Sequence, residues 1–328
     1  MEQLVHITDL HIANRPPVNR VDDYNSSIFA KLKWVCEYCQ KCNVKRLVIT
    51  GDLSHSHKLD DALTNRFVSL ILKYELEVIY IYGNHDLEGR NKNFTEMTNF
   101  GLLEKYPWFK CVTHKPVVGK NYVIAGYDFG DVSDCEINWV FPVKDCGNKW
   151  KILLLHPMLV NEKTLMIDGK IKQVNINEAE TDADIALCGH YHDGFDDVVK
   201  TVALEQESYW VNPGSMARVE ANLKKRNREP RLAHLKIFSD RFDIKFVTIP
   251  HRPFGEIFDV EHLKHKKFEK IDKDHFTSAL KTLAETSVME DNFVEALASA
   301  LRKPPAELSE CVDKEVIQYC LEKVEEFK

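Results

Sequence analysis

Glu77-Val78-Ile79-Tyr80-Ile81-Tyr82-Gly83-Asn84-His85-Asp86 is the stretch whose reading decides the fold. Its apolar run from Val78 to Tyr82 stops abruptly at a polar turn. An unbroken run of this length suits a strand buried on both faces, as in a parallel sheet. Two earlier segments have the same form. Leu4 to Thr8 leads into Asp9-Leu10-His11, and Arg46 to Thr50 leads into Gly51-Asp52. Helical spacing lies between them. Ile28, Leu32, Val35, Cys36 and Cys39 recur on one face of Ser26 to Cys42, and Leu63, Phe67, Leu70 and Ile71 on one face of Asp60 to Tyr74. Strand, helix, strand in alternation predicts an α/β layered domain with a central sheet.

The second half of the chain has more strand character. Candidates are Tyr122 to Tyr127, Lys151 to Leu155, Ile185 to Cys188, Ser208 to Val211, Ala233 to Phe238 and Phe242 to Ile249. Ser239-Asp240-Arg241 reads as a hairpin turn. His156 directly follows Leu153-Leu154-Leu155, and Gly189-His190-Tyr191-His192 follows Ile185 to Cys188. Beyond Pro250 the pattern becomes helical and rich in lysine and glutamate. This places a boundary near residue 250, with a main domain over 1–250 and a helical C-terminal region over 251–328. Apolar spacing at Phe293, Leu297, Ala300 and Leu301, and again at Val316, Ile317, Cys320, Leu321 and Val324, suits packing or docking on a partner.

Composition bounds the function classes. The chain has 328 residues, 44% hydrophobic and 29% charged, an ordinary globular balance. A net charge of −7 gives no global attraction to nucleic acid, so DNA binding needs a local basic surface. Nine cysteines without a disulfide-like framework, and no leader before the first strand, point to a reducing cytoplasmic location. No apolar run reaches the roughly 18 residues of a membrane span.

Five motifs share one chemistry. Asp9-Leu10-His11, Gly51-Asp52, Gly83-Asn84-His85-Asp86, His156 and Gly189-His190-Tyr191-His192 each follow a strand. Loops at the carboxyl ends of strands gather on one edge of an open α/β sheet. Carboxylate, amide and imidazole together suit two divalent cations. Such a pair can hold both the attacking and the leaving oxygen of a phosphodiester, and water on a metal loses its proton near neutral pH. Asp52 is the natural bridge. His85 is the candidate acid for the leaving oxygen, with Asp86 expected to orient it through the other ring nitrogen. Coincidental turn residues are the bland alternative.

The ordered set resembles the calcineurin-like metallophosphoesterase superfamily over roughly Leu4 to Ser215. That resemblance implies a four-layer α/β sandwich, two facing mixed β-sheets flanked by helices, here with a helical C-terminal appendage. It implies that Asp9, His11, Asp52 and His192 hold one metal, and Asp52, Asn84, His156 and His190 the other. Manganese is the first expectation, with iron or zinc also compatible. Protein phosphatases of the superfamily carry Asp-Arg-Gly after the second block, whereas this chain has Asp52-Leu53-Ser54-His55. A histidine three residues after the bridging aspartate is similar to the SbcD-type DNA double-strand-break repair nucleases. By that resemblance His55 is a second phosphate-facing histidine. The substrate would be DNA, the protein a homodimer, and the partner an SbcC-type coiled-coil ATPase. No Gly-x-x-x-x-Gly-Lys-Ser/Thr run occurs here, so ATP use would belong to that partner.

Ser54 stands where those nucleases often have a larger residue, and Asp193-Gly194-Phe195 replaces their Pro-Gln pair. The alternative is a stand-alone phosphodiesterase or phosphatase acting on a small nucleotide or phosphoprotein. A non-catalytic scaffold of the same fold is a third reading, disfavoured because every ligand position is filled.

The densest basic cluster is Lys224-Lys225-Arg226-Asn227-Arg228, with Arg218 nearby. Arg218, Lys224, Lys225 and Arg226 are candidate phosphate-backbone contacts, weighed against a solvated loop. Cys36, Cys39 and Cys42 read as helix packing rather than a metal site. Tyr80, Tyr82, Trp108, Trp139 and Trp210 read mainly as core or rim packing rather than as base-stacking platforms.

Overall fold

Alternation along each strand builds two cores at once. In the computed structural model, which describes residues 1–131, 136–161, 173–203 and 206–260, the first sheet contains β1 (Glu2–Ile7), β2 (Arg46–Thr50), β3 (Glu77–Ile81) and β4 (Phe109–Cys111). These four pair in parallel, in that order. Val5, Ile7, Leu47, Ile49, Val78 and Tyr80 face the helices, while Leu4, Val48, Ile79 and Ile81 face the other way. Period-two alternation explains the split.

The second sheet contains β5 (Val117–Val118), β6 (Tyr122–Gly126), β7 (Trp150–Leu155), β8 (Ile185–Cys188), β9 (Val199–Ala203) and β10 (Gln206–Val211). Its order is β9-β10-β8-β7-β6-β5, parallel through β10, β8, β7 and β6 and antiparallel at both edges. The chain then returns to the first sheet. β11 (Arg231–Ile237) lies antiparallel to β1, and β12 (Phe242–Thr248) closes that edge through the hairpin at Ser239-Asp240-Arg241. The sheets meet face to face over Leu4, Val48, Ile79, Ile124, Ile152, Leu154, Ile185, Leu187 and Val211. This is the expected mixed sandwich.

Helices cover the first sheet. α1 (Tyr24–Lys41) starts where Asp23 accepts a hydrogen bond from the Ser26 N–H at 3.0 Å, which satisfies one of the end donors. It buries Ile28, Phe29, Leu32, Val35, Cys36 and Cys39. Truncating Leu32 to alanine there costs about 2–5 kcal/mol. Cys36 and Cys39 thus pack in the core. α2 (Asp61–Lys73) lies beside α1 and buries Phe67 and Ile71. The outer face of the second sheet differs from expectation. Among the described residues its cover is Trp139, Phe141, Leu159, Val174 and Ile176, which lie on short strand pairs, a loop and a 3-10 turn rather than on a long helix.

The chain divides into compact units at Met1–Phe258 and Asp259–Lys328. Phe258 still bridges Arg20 within the first unit. The expected helices over 293–324 lie outside the described residues. Among the described residues no helix is long and apolar enough to cross a membrane.

Candidate dimetal site

Each ligand turn hangs from the carboxyl end of a parallel strand. β1 delivers Asp9 and His11, β2 delivers Asp52 and β3 delivers Asn84. β7 and β8 of the other sheet deliver His156, His190 and His192. A Thr8–Ser215 bridge ties the two sheets together at this edge. Tight turns are needed to bring side chains from two sheets together, and the backbone carries that strain. Asp9 (φ 50°), His11 (φ 47°), Asp52 (φ 50°) and His190 (φ 70°) all adopt the left-handed region. Non-glycine residues enter it at a cost of about 1–3 kcal/mol when surroundings hold them there. Two glycines permit the close approach. A Cβ on Gly83 would lie 2.2 Å from Asp52 Oδ1, and one on Gly189 would lie 2.3 Å from the Thr50 carbonyl oxygen.

The ligand atoms converge as two groups that share Asp52. Atoms of Asp9, His11, Asp52 and His192 lie within 4.8 Å of one another, as do those of Asp52, His156 and His190. Asp52 Oδ2 stands 3.7 Å from His11 Nε2 and 3.4 Å from His156 Nε2. Asp9 Oδ1 stands 3.5 Å from His192 Nε2. Supporting contacts fix the orientation of each ligand. Thr8 Oγ1 donates to Asp9 Oδ2 at 2.6 Å, and the His190 N–H donates to the same oxygen at 3.2 Å. The His85 N–H donates to Asp52 Oδ1 at 2.9 Å. His156 Nδ1 donates to the Thr50 carbonyl at 2.6 Å, which makes Nε2 the nitrogen that faces the other ligands.

Among the described residues seven buried side-chain atoms have no hydrogen-bond partner; His6 Nδ1 and Arg218 Nε and Nη1 lie outside the expected ligands, and the other four are Asp9 Oδ1, Asp52 Oδ2, Asn84 Oδ1 and His156 Nε2. Buried polar groups are almost always satisfied. All four are Lewis bases on the expected ligand residues, so the residues present fit a pair of divalent cations. Electrostatics agree. Burial pushes His11 down to about 3 and His190 down to about 4, which keeps both imidazoles neutral. Burial alone would raise the carboxyls. Interaction with His192 outweighs it at Asp9, and His156 outweighs it at Asp52, so both stay ionised. His156 is carried up to about 9 because Asp52 and Asp9 overcome its burial, so a cation must displace the Nε2 proton before that nitrogen becomes a ligand. The pocket thus draws in positive charge.

The mouth is lined by half-buried histidines. His55 and His85 stack with centroids 5.0 Å apart and planes at 19°, and both rings lie beside His11. Here one expectation needs correction. Asp86 does not orient His85. Its carboxylate accepts from the N–H groups of Gly83 (3.0 Å), Ser54 (3.0 Å) and Leu53 (3.3 Å), and from Ser54 Oγ (3.1 Å). It therefore clamps the Asp52 and Asn84 turns together. His85 Nδ1 donates to the His55 carbonyl instead, at 2.9 Å. The small Ser54 also gains a reason, since its hydroxyl holds Asp86.

The basic residues separate into different roles. Arg218 is buried and donates through Nη2 to the Arg228 carbonyl, while its Nε and Nη1 have no partner. Lys225 pairs with Asp193, and Arg226 is exposed. The Lys224 side chain lies outside the described residues. Sequence reading missed Thr8 and Thr50, whose signal was their place as the last polar residue before each ligand turn. It also missed Phe129, whose ring lies 5.8 Å from His190 and 6.4 Å from His156. Of the aromatic candidates, Tyr80, Tyr82, Trp139 and Trp210 are buried and only Trp108 is exposed.

The model for calcineurin-like phosphoesterases matches residues 3–194, a span that holds every ligand turn and more than half of the chain. The chain belongs to the calcineurin-like phosphoesterase family. Members use a dimetal centre for phosphoester hydrolysis, and the shared Asp52 is where this chain would bridge it. Comparison with curated proteins gives no match. Among solved structures, a dimetal phosphatase from Danio rerio is 11% identical with a TM-score of 0.44, covering 76% of this chain and 99% of its own. A protein from Thermus thermophilus is 11% identical with a TM-score of 0.43, covering 74% and 98%. Membership in the phosphoesterase family rests on the match over 3–194 and the site geometry, not on these distant likenesses.

Proposed function

We propose that this phosphoesterase is a two-metal DNA nuclease of the SbcD type, working as a homodimer with an SbcC-type coiled-coil ATPase in repair or recombination. Asp9, His11, Asp52 and His192 would hold one cation, and Asp52, Asn84, His156 and His190 the other. When bound, such a pair neutralises phosphate charge and makes water nucleophilic near neutral pH. The chain's own residues do the rest. Asp86 locks the turns that carry Asp52 and Asn84 through four hydrogen bonds. The His55 carbonyl can only accept, so His85 Nδ1 carries a proton and Nε2 is the nitrogen that exchanges one. As the phosphorus–oxygen bond to the leaving group breaks, that nitrogen supplies the proton the alkoxide needs.

One observation carries the nuclease reading: His55 is stacked on His85 at the mouth. Paired imidazoles can contact the scissile phosphate and its neighbouring chain together, whereas a small ester engages chiefly one of them. The test is degradation of linear and circular DNA with manganese, with and without the ATPase, beside hydrolysis of a chromogenic diester. His55→Ala is expected to reduce DNA cleavage at least about tenfold more than ester cleavage. Equal losses, or cleavage of small diesters alone, would remove the nuclease reading.

A second reading is supported by the basic segment. Arg218 and Arg228 turn inward and Lys225 is paired, which leaves few of these cations for a nucleic-acid backbone. A small nucleotide or a phosphoprotein would fit that better.

A further inference from the structure

Away from the dimetal centre, three other potential ligands converge past the end of β4, with Asp128 behind them. Glu104 follows a short helix (Asn99–Leu103), Cys111 ends β4, His114 follows in the next loop and Asp128 follows β6. Ligand atoms of Glu104, Cys111 and His114 lie within 4.8 Å of one another. Bonds of about 2.0–2.3 Å in a tetrahedral site put neighbouring ligand atoms about 3.3–3.8 Å apart, so small rotations suffice. His114 Nδ1 is 3.1 Å from Glu104 Oε2. Asp128 Oδ2 accepts from Thr113 Oγ1 at 2.9 Å, and that hydroxyl is 3.1 Å from Cys111 Sγ.

We propose that Glu104, Cys111 and His114 form a third cation site of zinc type, with Asp128 anchoring Thr113 beside it. Sulfur, imidazole and carboxylate together favour zinc over manganese. The outer contacts of a built site are present. Tyr82 OH donates to Glu104 Oε1 at 2.5 Å, which orients the carboxylate from behind. Binding breaks the Cys111 S–H bond, forms a metal–sulfur bond and releases the proton to solvent. Burial, with Asp128 and Glu104, holds the free thiol well above its ordinary value, so the cation rather than solvent pH generates the thiolate.

The site is tied to the catalytic edge through backbone. Asp128 Oδ1 accepts from the Tyr82 N–H at 2.8 Å, and the Phe129 N–H donates to the Tyr82 carbonyl at 3.0 Å. Asn84 lies two residues beyond Tyr82. A cation there stiffens the strand exit from which that ligand hangs.

Cobalt(II) titration of the full chain tests this independently of catalysis, because no cysteine is among the dimetal ligands. The expected result is a thiolate-to-cobalt charge-transfer band in the near-ultraviolet, displaced by zinc. Cys111→Ser should abolish the band and lower bound zinc by one ion per chain. Asp52→Asn, which disables the dimetal centre, should leave the band intact. His114→Gln, on an exposed side chain that the core does not need, should weaken cobalt binding at least about tenfold. No band in the wild type, a band unchanged by Cys111→Ser, or full cobalt affinity in His114→Gln would overturn the site and leave a simple Glu104–His114 ion pair.

Discussion

Two stretches meet at Asp9 and treat buried acceptors in opposite ways. In the ligand turns, Asp9 Oδ1, Asp52 Oδ2, Asn84 Oδ1 and His156 Nε2 have no hydrogen-bond partner. In the loop after β10, four consecutive carbonyls are each met by a cation. Arg228 donates to the oxygens of Ser215 (2.7 Å) and Ala217 (2.6 Å), Lys31 to that of Met216 (2.6 Å) and Arg20 to that of Arg218 (2.9 Å). The same loop grips β1's exit, since the Met216 and Ala217 N–H groups donate to the Thr8 and Asp9 carbonyls. An orphaned buried acceptor is a place reserved for something from solvent; a satisfied one is a structural tie. Acidity at one stretch and basicity at the other therefore have different meanings despite their proximity.

The comparison can be broken most sharply at Asp52. Asp52→Asn should lower hydrolysis of a chromogenic diester by more than about a thousandfold, since a bridging ligand supports several kcal/mol of charge stabilisation. Metal analysis should show the loss of bound ions. His85→Ala should cost about a hundredfold to a thousandfold in turnover, with metal content unchanged. Loss of metal there would refute its placement as a proton donor.

Arg228→Met should behave the other way round. Two buried carbonyls lose a charged donor, so stability should fall by about 2–4 kcal/mol in denaturant unfolding. A collapse of activity with stability preserved would contradict the structural role. Lys31 sharpens the same point through pH. Its burial, reinforced by Arg228, Arg20 and Arg218, pushes the amine down to about 7. Below that value both folded and unfolded chains bind the proton. Above it, up to the ordinary lysine value, the unfolded chain binds one more. Stability should thus rise with pH across that window by up to about 1.4 kcal/mol per unit, and Lys31→Met should flatten the rise. The exposed Arg226→Ala should change stability by less than about 0.5 kcal/mol.

The strands and their ligand turns were legible because each is a local pattern: an apolar run buried on both faces, then a polar residue where the chain must turn. Ordered recurrence of that pattern located Asp9, Asp52, Asn84, His156 and His190. Backbone partners leave no such trace. Nothing in the residue order says that His85 leans on the His55 carbonyl rather than on its neighbour Asp86, or that Lys31 in α1 reaches a carbonyl far along the chain at Met216. The outer cover of the second sheet was also hidden, since short strand pairs such as Leu159–Val160 with Val174–Asn175 carry too few residues to show a period. Glu104, Cys111 and His114 come from separate local elements, and only the fold brings them together.

The central claim is that two cations share Asp52. Diffraction from manganese-soaked crystals, collected for the manganese anomalous signal, tests it directly. Two anomalous peaks, one on the Asp9–His11–His192 side of Asp52 and one on the Asn84–His156–His190 side, are the predicted result. A map with no peak beside Asp52, or with one peak that does not touch it, would contradict the account.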